Sequence, residues 1–230
     1  MRLQLCSILF VVICVSGCTS PIGDRWLMNV ADGDASGSAE LVARTHLKPK
    51  EPAMGIKTTA EVSRSIFVDV PREQVWRITG EEFANIDRWI AGVNASEGAG
   101  VGLNGAPCTE RTCEPSFRGF QETTERLIQY DPQRYQLAYQ IVEGLPGMVG
   151  QATNEWTHQE KGQGTQVTMT IKMELHGIVG AAMKPMMSRQ MGKILQEGLE
   201  ELKVYAETGQ QHPRKLAAMA KYHKKLTSQR

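Results

Sequence analysis

The sequence has no excess of charge of either sign. Its 26 Lys and Arg residues nearly balance its 25 Asp and Glu residues, so the formal net charge of the 230 residues is +1. A globally basic charge is typical of nucleic-acid-binding proteins, so the near-neutral net charge argues against that class. With 41% hydrophobic and 22% charged residues, the composition is typical of a globular protein with one core.

The sequence also lacks the short motifs of the commoner enzyme mechanisms. It has no HExxH, no CxxC pair, no phosphate-binding glycine motif and no Ser/His/Asp order typical of a hydrolase. The glycine-rich passage 98–105 has neither the Lys nor the strand-to-helix context of a phosphate-binding loop. We therefore expect no cofactor and no metal site. The histidines are scattered, at His46, His158, His176, His212 and His223.

Long hydrophobic runs are lacking, except for one at the N-terminus. Arg2 precedes an apolar run from Leu3 to Val15, which is too short to span a bilayer but has the length of a signal-peptide core. The run ends in Val-Ser-Gly-Cys at 15–18, which resembles the lipobox of bacterial lipoproteins. The resemblance implies that residues 1–17 are removed and that Cys18 is acylated. A plain secreted protein cleaved nearby is the alternative.

Acylation of Cys18 would place the protein in the cell envelope, facing the periplasm or the exterior. More than one acyl chain is sufficient for stable membrane attachment. Thr19 follows the cysteine where an Asp would indicate inner-membrane retention, so the outer membrane is favoured in a Gram-negative organism. Residues 18–60 are rich in Gly, Ser, Asp, Ala and Pro without a sustained period, which predicts a flexible tether.

Few cysteines remain after the predicted cleavage. Cys6 and Cys14 would leave with the signal peptide, so Cys108 and Cys113 are the candidates for pairing. Exported proteins fold where thiols oxidise, and we therefore expect a disulfide between these two residues. A metal site there would need further ligands nearby, and none is evident.

Alternating and helical patterns predict an α+β fold from about residue 61. Val62 to Val70 reads as a strand, two short amphipathic helices follow, and the segment 120–176 reads as a series of antiparallel strands. The last strand alternates most clearly. One long amphipathic helix is predicted from Met183 to Glu207, with Pro185 near its start and Gly209 after its end. Gly192 and Gly198 within it indicate that another group approaches the helix backbone closely.

The succession of motifs resembles the START-like (SRPBCC) superfamily, with the polyketide cyclase/dehydrase branch as its nearest part. The resemblance extends over about 61–208 and rests on order and spacing. The motifs that carry it are Val68-Asp69-Val70-Pro71-Arg72-Glu73-Gln74-Val75-Trp76, then Phe83, Ile86 and Trp89, then Glu125-Arg126-Leu127 and Tyr130-Asp131-Pro132, and finally Gly164-Thr165-Gln166-Val167-Thr168.

This resemblance implies a helix-grip fold, in which a curved antiparallel sheet wraps around the long C-terminal helix and leaves a hydrophobic cavity. Family ligands include lipids, sterols, aromatic polyketides and plant hormones, and only some members are enzymes. A filled interior remains the alternative. If the apolar faces of the last strand and the helix meet, the expected lining is Trp89, Tyr139, Leu145, Trp156, Met169, Met173, Met187, Met191 and Leu195.

Arg111 and Glu125 are the charged residues that could face the cavity. A buried carboxylate there could act as a base or hold the polar end of a ligand. A surface ion pair is the structural alternative. Three functions stay open on the sequence: a carrier or sensor of a hydrophobic small molecule or lipid, a cyclase-like or dehydratase-like enzyme, and a structural module for another envelope protein.

The C-terminal tail, 209–230, is basic and forms a unit of its own. From Gln210 onward it has six Lys and Arg residues and no acid, and Leu216, Met219, Ala220, His223 and Leu226 fall on one helical side. This pattern is typical of a membrane-surface helix, and solvated disorder is the alternative. Nucleic acid is a poor partner for an exported protein. The sequence does not determine the oligomeric state.

Overall fold

The structure, a computed structural model, describes residues 56–116 and 121–228. In them, one antiparallel sheet has the strand order β1-β7-β6-β5-β4-β3-β2. Its strands are β1 (Lys57–Val68), β2 (Val93–Ala99), β3 (Glu110–Pro115), β4 (Thr123–Asp131), β5 (Gln136–Glu143), β6 (Val149–Lys161) and β7 (Gly164–His176).

The helices follow the order that the sequence predicts. A short helix α1 (Arg72–Trp76) continues into a π-helical turn (Arg77–Glu81) and a 3-10 segment (Phe83–Arg88). A long helix α2 (Gly177–Thr208) follows β7, and α3 (Pro213–Thr227) ends the described chain. The curved sheet with one long C-terminal helix is the helix-grip fold, so the fold prediction is confirmed.

The last strand, β7, shows the predicted alternation of buried and exposed side chains. Val167, Met169, Ile171, Met173 and Leu175 are all buried, while the polar residues between them are partly exposed. Because side chains alternate across a strand, these apolar residues lie on the inner face of the sheet.

Three strands differ from the sequence prediction. Strand β1 begins at Lys57, so the last residues of the segment read as a tether belong to the sheet. Strands β2 and β3 were not predicted, because β2 is a polar and largely exposed edge strand without apolar alternation. The predicted signal peptide, Cys18 and the tether up to residue 55 lie outside the described residues.

Helix α2 starts earlier than predicted and ends where predicted. It begins at Gly177, so Pro185 lies inside the helix. It ends at Gly209, whose φ of 70° is the left-handed conformation that favours glycine. The close approach expected at two glycines is confirmed. A methyl group on Gly192 would overlap the guanidinium of Arg64 in β1, and one on Gly198 would lie 3.2 Å from Ile90 Cδ1.

The basic tail contains α3, which packs through its polar side. Lys215 is fully buried and its Nζ donates a hydrogen bond to the carbonyl of Val93 at 2.7 Å. Burial lowers the pKa of Lys215, and Asp87 and Glu201 oppose this. Leu216, on the side read from the sequence as apolar, is 55% exposed. A helix therefore forms here, and membrane contact by that side stays a prediction.

Candidate ligand-binding site

One enclosed cavity lies between the sheet and the segment that follows β1. Its volume is about 10 Å³, which is enough for a single water molecule. Its lining combines apolar, aromatic and cationic groups from several elements. The lining residues are Ile78, Thr79, Phe83, Ile86, Trp89, Arg111, Leu137, Tyr139 and Trp156.

Aromatic rings fill most of the space that was expected to be hollow. Trp89 and Trp156 meet edge to face with ring centroids 6.4 Å apart, and Phe83 meets Tyr139 at 5.8 Å. The predicted large cavity is therefore reduced to a small one, because these four bulky side chains all turn inward. Burial raises the pKa of Tyr139, and the negative charge of Glu125 adds to the effect, so its hydroxyl stays protonated.

Arg111 and Glu125 form a buried ion pair at one wall of this cavity. They are direct cross-strand partners of β3 and β4. Arg111 Nε donates to Glu125 Oε2 at 2.8 Å, and Nη2 donates to the same oxygen. The side chains are 3% and 13% exposed, respectively. The structure thus excludes the alternative of a surface pair for these two residues.

Further contacts fix the guanidinium of Arg111. Its Nη1 donates to the carbonyl of Phe83 at 2.6 Å, and its Cζ lies 4.0 Å from the centroid of the Phe83 ring. Burial lowers the pKa of Arg111, but Glu125 more than offsets this, so the net pKa is raised and the group stays charged. Arg111 lines the cavity, whereas Glu125 lies behind it.

Two buried polar atoms near the site have no hydrogen-bond partner among the described residues. They are Trp89 Nε1, a donor, and Asn154 Oδ1, an acceptor. Asn154 is the cross-strand partner of Tyr139 on the inner face, and Trp89 lines the cavity. Leaving such a group unpaired costs about 1 to 3 kcal/mol. Each could therefore be satisfied by a water molecule or by the polar end of a ligand.

The remaining candidate residues lie on the inner side but not at the cavity. Met169, Met173 and Leu195 are buried in the core. Leu145, Met187 and Met191 are partly buried and pack against it. The structure thus brings Trp89, Arg111, Tyr139 and Trp156 to one cavity, places Glu125 beside it, and leaves the other candidates around it.

The first half of α2 covers the sheet more loosely than the second half. Of residues 177–191 only Gly180 is buried, whereas the second half buries Gly192, Leu195, Gly198, Leu199, Glu201, Leu202 and Ala206. The loose half presents partly buried methionines to the core, Met187 and Met191. Met side chains are unbranched and repack easily. This part of the cover can therefore move at lower cost than the rest.

Sequence reasoning did not assign five of the lining residues to the cavity wall, which are Ile78, Thr79, Phe83, Ile86 and Leu137. Phe83 and Leu137 stood in recognised amphipathic patterns, and that is the signal that could have identified them. Thr79 had no such signal. It lies in a π-helical turn, where its hydroxyl contacts the carbonyl of Val75 and the ring of His158.

A larger groove, of about 1210 Å³, runs between α3, the second half of α2 and the strands β2 and β3. Its lining includes the charged residues Glu114, Glu197, Lys221 and Lys225. It is open to solvent and shares no lining residue with the aromatic cavity. We therefore do not assign it to an apolar ligand.

The predicted disulfide is absent, and this prediction was wrong. Cys108 and Cys113 are both free and buried. Cys113 lies within strand β3, where its partner in register is Ser96 of β2. A strand has taken the place of the expected small loop. Burial raises the pKa of the Cys113 thiol to about 12, and Glu125 contributes to the shift.

We therefore predict that a reducing agent leaves the thermal unfolding midpoint unchanged. A disulfide closing so short a loop would contribute about 2 to 3 kcal/mol, which reduction would remove. The measurement is thermal unfolding with and without dithiothreitol, together with the intact mass. A Cys113→Ala variant is the control, and its loss of stability should be the same under both conditions. A mass lower by two hydrogen atoms and a midpoint that falls with dithiothreitol would show that the disulfide does form.

Within residues 56–116 and 121–228, no three His, Cys, Asp or Glu side chains are grouped as metal ligands would be. No helix of the same residues is both long enough and apolar enough to cross a membrane.

The fold and the aromatic cavity define a helix-grip protein of the START-like type. A family model described as "Polyketide cyclase / dehydrase and lipid transport" matches residues 59–207, which is more than half of the chain. The chain belongs to this family. A search of curated proteins found no significant match.

Solved structures show the same fold at low sequence identity. A START superfamily protein from Mycobacterium smegmatis aligns with a TM-score of 0.54 and 16% identity, covering 66% of this chain and 99% of its own. The protein XoxI from Bacillus cereus aligns with a TM-score of 0.52 and 18% identity, covering 66% of this chain and 99% of its own. A protein from Thermus thermophilus aligns with a TM-score of 0.52 and 19% identity, covering 69% of this chain and 98% of its own. At these identities the likeness shows the fold alone.

Proposed function

We propose that this protein is a membrane-anchored lipoprotein of the cell envelope that binds a hydrophobic small molecule or a lipid between its sheet and α2, as a carrier or sensor. The family description, which includes lipid transport, is consistent with this function. The anchor is inferred from the lipobox-like residues 15–18, and the envelope location follows from the anchor.

The observation that carries the ligand-binding proposal is the loose packing of the first half of α2 against the core, in a domain whose small cavity has aromatic walls. The cavity of about 10 Å³ admits no ligand larger than water, so a ligand needs further space, which displacement of Met187 and Met191 from the core would open beneath α2. Neither methionine is fully buried, and only Gly180 among the neighbouring residues 177–191 is. The displaced apolar contacts would be replaced by contacts with the ligand, which keeps the net cost of opening small.

The polar groups indicate the chemistry of the ligand. Trp89 Nε1 is a buried donor without a partner, and the adjacent Arg111 is a buried cation. Both favour a ligand with one hydrogen-bond acceptor, such as a carboxylate or a carbonyl, on an otherwise apolar body. Burial of about 350 Å² of apolar ligand surface would contribute about 9 kcal/mol before association costs, which is sufficient for micromolar binding.

We predict that the protein binds a dansyl-labelled fatty acid with one-to-one stoichiometry and that Trp89→Phe weakens this binding about tenfold. The substitution keeps an aromatic ring and removes only the N–H donor, and a hydrogen bond to a charged acceptor contributes about 1.5 to 3 kcal/mol. Dansyl fluorescence titration measures the affinity, and native mass spectrometry measures the stoichiometry.

Trp76→Phe is the matched control, because Trp76 is a buried indole that packs on Tyr130 and does not line the cavity. Its affinity for the probe should equal that of the wild type. If the wild type binds neither the dansyl probe nor any lipid from an envelope extract, the ligand-binding function is refuted. Equal affinity of the Trp89→Phe variant would instead refute only the assigned polar contact.

A further inference from the structure

The first half of α2 exposes an apolar surface that the core does not use. Ile178, Val179 and Met186 are 75%, 62% and 53% exposed. Successive residues of an α-helix are rotated by about 100°, so Ile178, Ala182 and Met186 fall on one side of the helix. This side points away from the sheet, because Met187 and Met191 occupy the opposite side and contact the core.

The charges of this half-helix all have one sign. Residues 177–196 contain Lys184, Arg189 and Lys193 and no Asp or Glu, whereas the following residues 197–207 contain four Glu and one Lys. Arg189 and Lys193 continue the side formed by Ile178 and Met186, and both are exposed. An exposed helical surface that combines apolar residues with cations alone is typical of contact with an anionic membrane surface.

The chain enters the domain beside this surface. The carbonyl of Ile56 accepts a hydrogen bond from the backbone N–H of Gly177 at 2.8 Å, and Ile56 is itself 54% exposed. The 55 residues that precede it include Cys18, the predicted site of acylation. Whatever path those residues take, a membrane anchor at Cys18 is connected to the domain at the start of α2.

We propose that this surface docks on the interface of an anionic lipid bilayer. Ile56, Ile178, Val179 and Met186 would enter the boundary between headgroups and acyl chains, and Arg189 and Lys193 would contact lipid phosphates. This proposal uses the proposed acyl anchor at Cys18 only to explain why the domain is held near a membrane. The surface itself should bind a bilayer without the anchor. Docking would bring the methionine-covered part of the interior close to the membrane, where a lipid ligand is available.

The test uses residues 49–230, which lack the predicted acyl anchor. The solved structures with this fold consist of little else, since 98 to 99% of their chains align, so the domain is a complete folding unit. Binding is measured by co-sedimentation with vesicles of phosphatidylethanolamine and phosphatidylglycerol, and with vesicles of phosphatidylcholine alone. We expect binding to the anionic vesicles, weakened by salt, and little binding to the neutral ones.

Two double variants separate the two kinds of contact. The variant Arg189→Gln/Lys193→Gln should lower the vesicle partition coefficient about 30-fold and reduce its dependence on salt, because each cation near anionic lipid contributes about a fivefold factor. The variant Ile178→Ser/Met186→Ser should lower it about tenfold or more at every salt concentration. All four side chains are substantially exposed or on the exposed side, so circular dichroism should show unchanged folding.

Matched controls come from the turns at the opposite ends of the strands and from an exposed position in β4. Arg134→Gln/Lys161→Gln alters two exposed cations at the β4–β5 and β6–β7 turns, and Ile128→Ser alters a side chain that is 49% exposed. Neither should change partitioning by more than about twofold.

Three outcomes would overturn the proposal. The first is no binding of the wild type to anionic vesicles. The second is loss of binding only when Lys221, Lys224 and Lys225 of α3 are changed to Gln, which would assign the contact to α3. The third is that residues 19–230, without Cys18, fail to bind while residues 49–230 bind, which would show that residues 19–48 cover this surface.

Binding of the dansyl-labelled fatty acid in solution is measured separately, so failure of docking and failure of the ligand-binding function are distinguished.

Discussion

Replacing Arg111 with methionine is expected to lower the free energy of unfolding by about 3 to 5 kcal/mol, because the substitution leaves the Glu125 carboxylate buried without its partner. The Glu125 side chain is only 13% exposed, and both donors that reach its Oε2 come from Arg111. The carbonyl of Phe83 also loses its donor. The measurement is equilibrium unfolding in urea, with the slope of the transition compared between variants.

A neighbouring ion pair on the same two strands provides a matched control. Arg126 Nε donates to Glu110 Oε1 at 2.6 Å, and these residues face the other side of the sheet, where their side chains are 53% and 32% exposed. Arg126→Met should therefore change stability by about 0 to 1 kcal/mol. The two substitutions remove the same side chain from adjacent strands and differ in burial.

The double variant Arg111→Met/Glu125→Leu tests the cause of the loss. Replacing both members of a buried ion pair with apolar residues is often neutral or stabilising, so most of the lost stability should return. A double variant as unstable as Arg111→Met alone would show that the loss arises from the contacts of Arg111 with Phe83 and not from the unpaired carboxylate.

Acidification should lower the free energy of unfolding by about 1.4 kcal/mol per pH unit between pH 6.5 and pH 4, or about 3 kcal/mol in all, through His158 alone. Burial lowers the pKa of this imidazole to about 4, partly opposed by the carbonyl of Tyr135. The unfolded state, with a pKa of about 6.5, takes up a proton that the folded state does not. Stability is therefore full above pH 6.5 and is lost as the pH falls.

Burial, and not hydrogen bonding, is the main reason why the folded state holds His158 neutral. Nδ1 lies 2.8 Å from the carbonyl of Tyr135, so it must be the donor, and Nε2 lies 2.9 Å from Thr79 Oγ1, whose hydroxyl donates to the carbonyl of Val75 at 3.1 Å. The ring stacks on Trp156 at a centroid distance of 6.3 Å. Protonation would place a positive charge in this buried site, and the cost of removing that charge from water lowers the pKa of the ring.

His158→Gln should flatten the pH dependence of stability between pH 6.5 and pH 5, a window above the range in which most carboxylates titrate. The variant is less stable at every pH because the ring is lost. The readout is therefore the slope of the free energy of unfolding against pH, and not its absolute value. His223→Gln is the control, since His223 lies in α3, far along the chain from the buried ring, and should leave the slope unchanged. A wild-type slope near zero would refute the assignment of a depressed pKa to His158.

The sequence predicted best what local pattern determines. The alternation of β7, the glycines of α2 and the stop at Gly209 are local signals, and the structure has all three. The structure assigns to β2 and β3 two segments that the sequence left unassigned. Strand β2 is a polar edge with a register shift between Val93 and Ala95, so neither alternation nor apolar content marks it.

The failure to predict β2 and β3 also explains the errors at the site. Arg111 and Glu125 stood out individually, but their pairing depends on the register of β3 against β4, which no local pattern determines. The disulfide was predicted because the segment with Cys113 was taken for a loop and is a strand. The size of the cavity could not be predicted, because it depends on whether four aromatic side chains point inward or along the sheet.

The uneven burial of α2 also affects how a guest molecule could be exchanged. Residues 177–191 are held to the domain by few buried groups, and Pro185 within them cannot supply a backbone donor, whereas residues 192–206 are part of the core. Such a helix behaves as two units of different local stability, and the weaker one can open while the stronger one keeps the sheet assembled. Exchange of a guest would then require only a partial opening, at a free-energy cost below that of global unfolding.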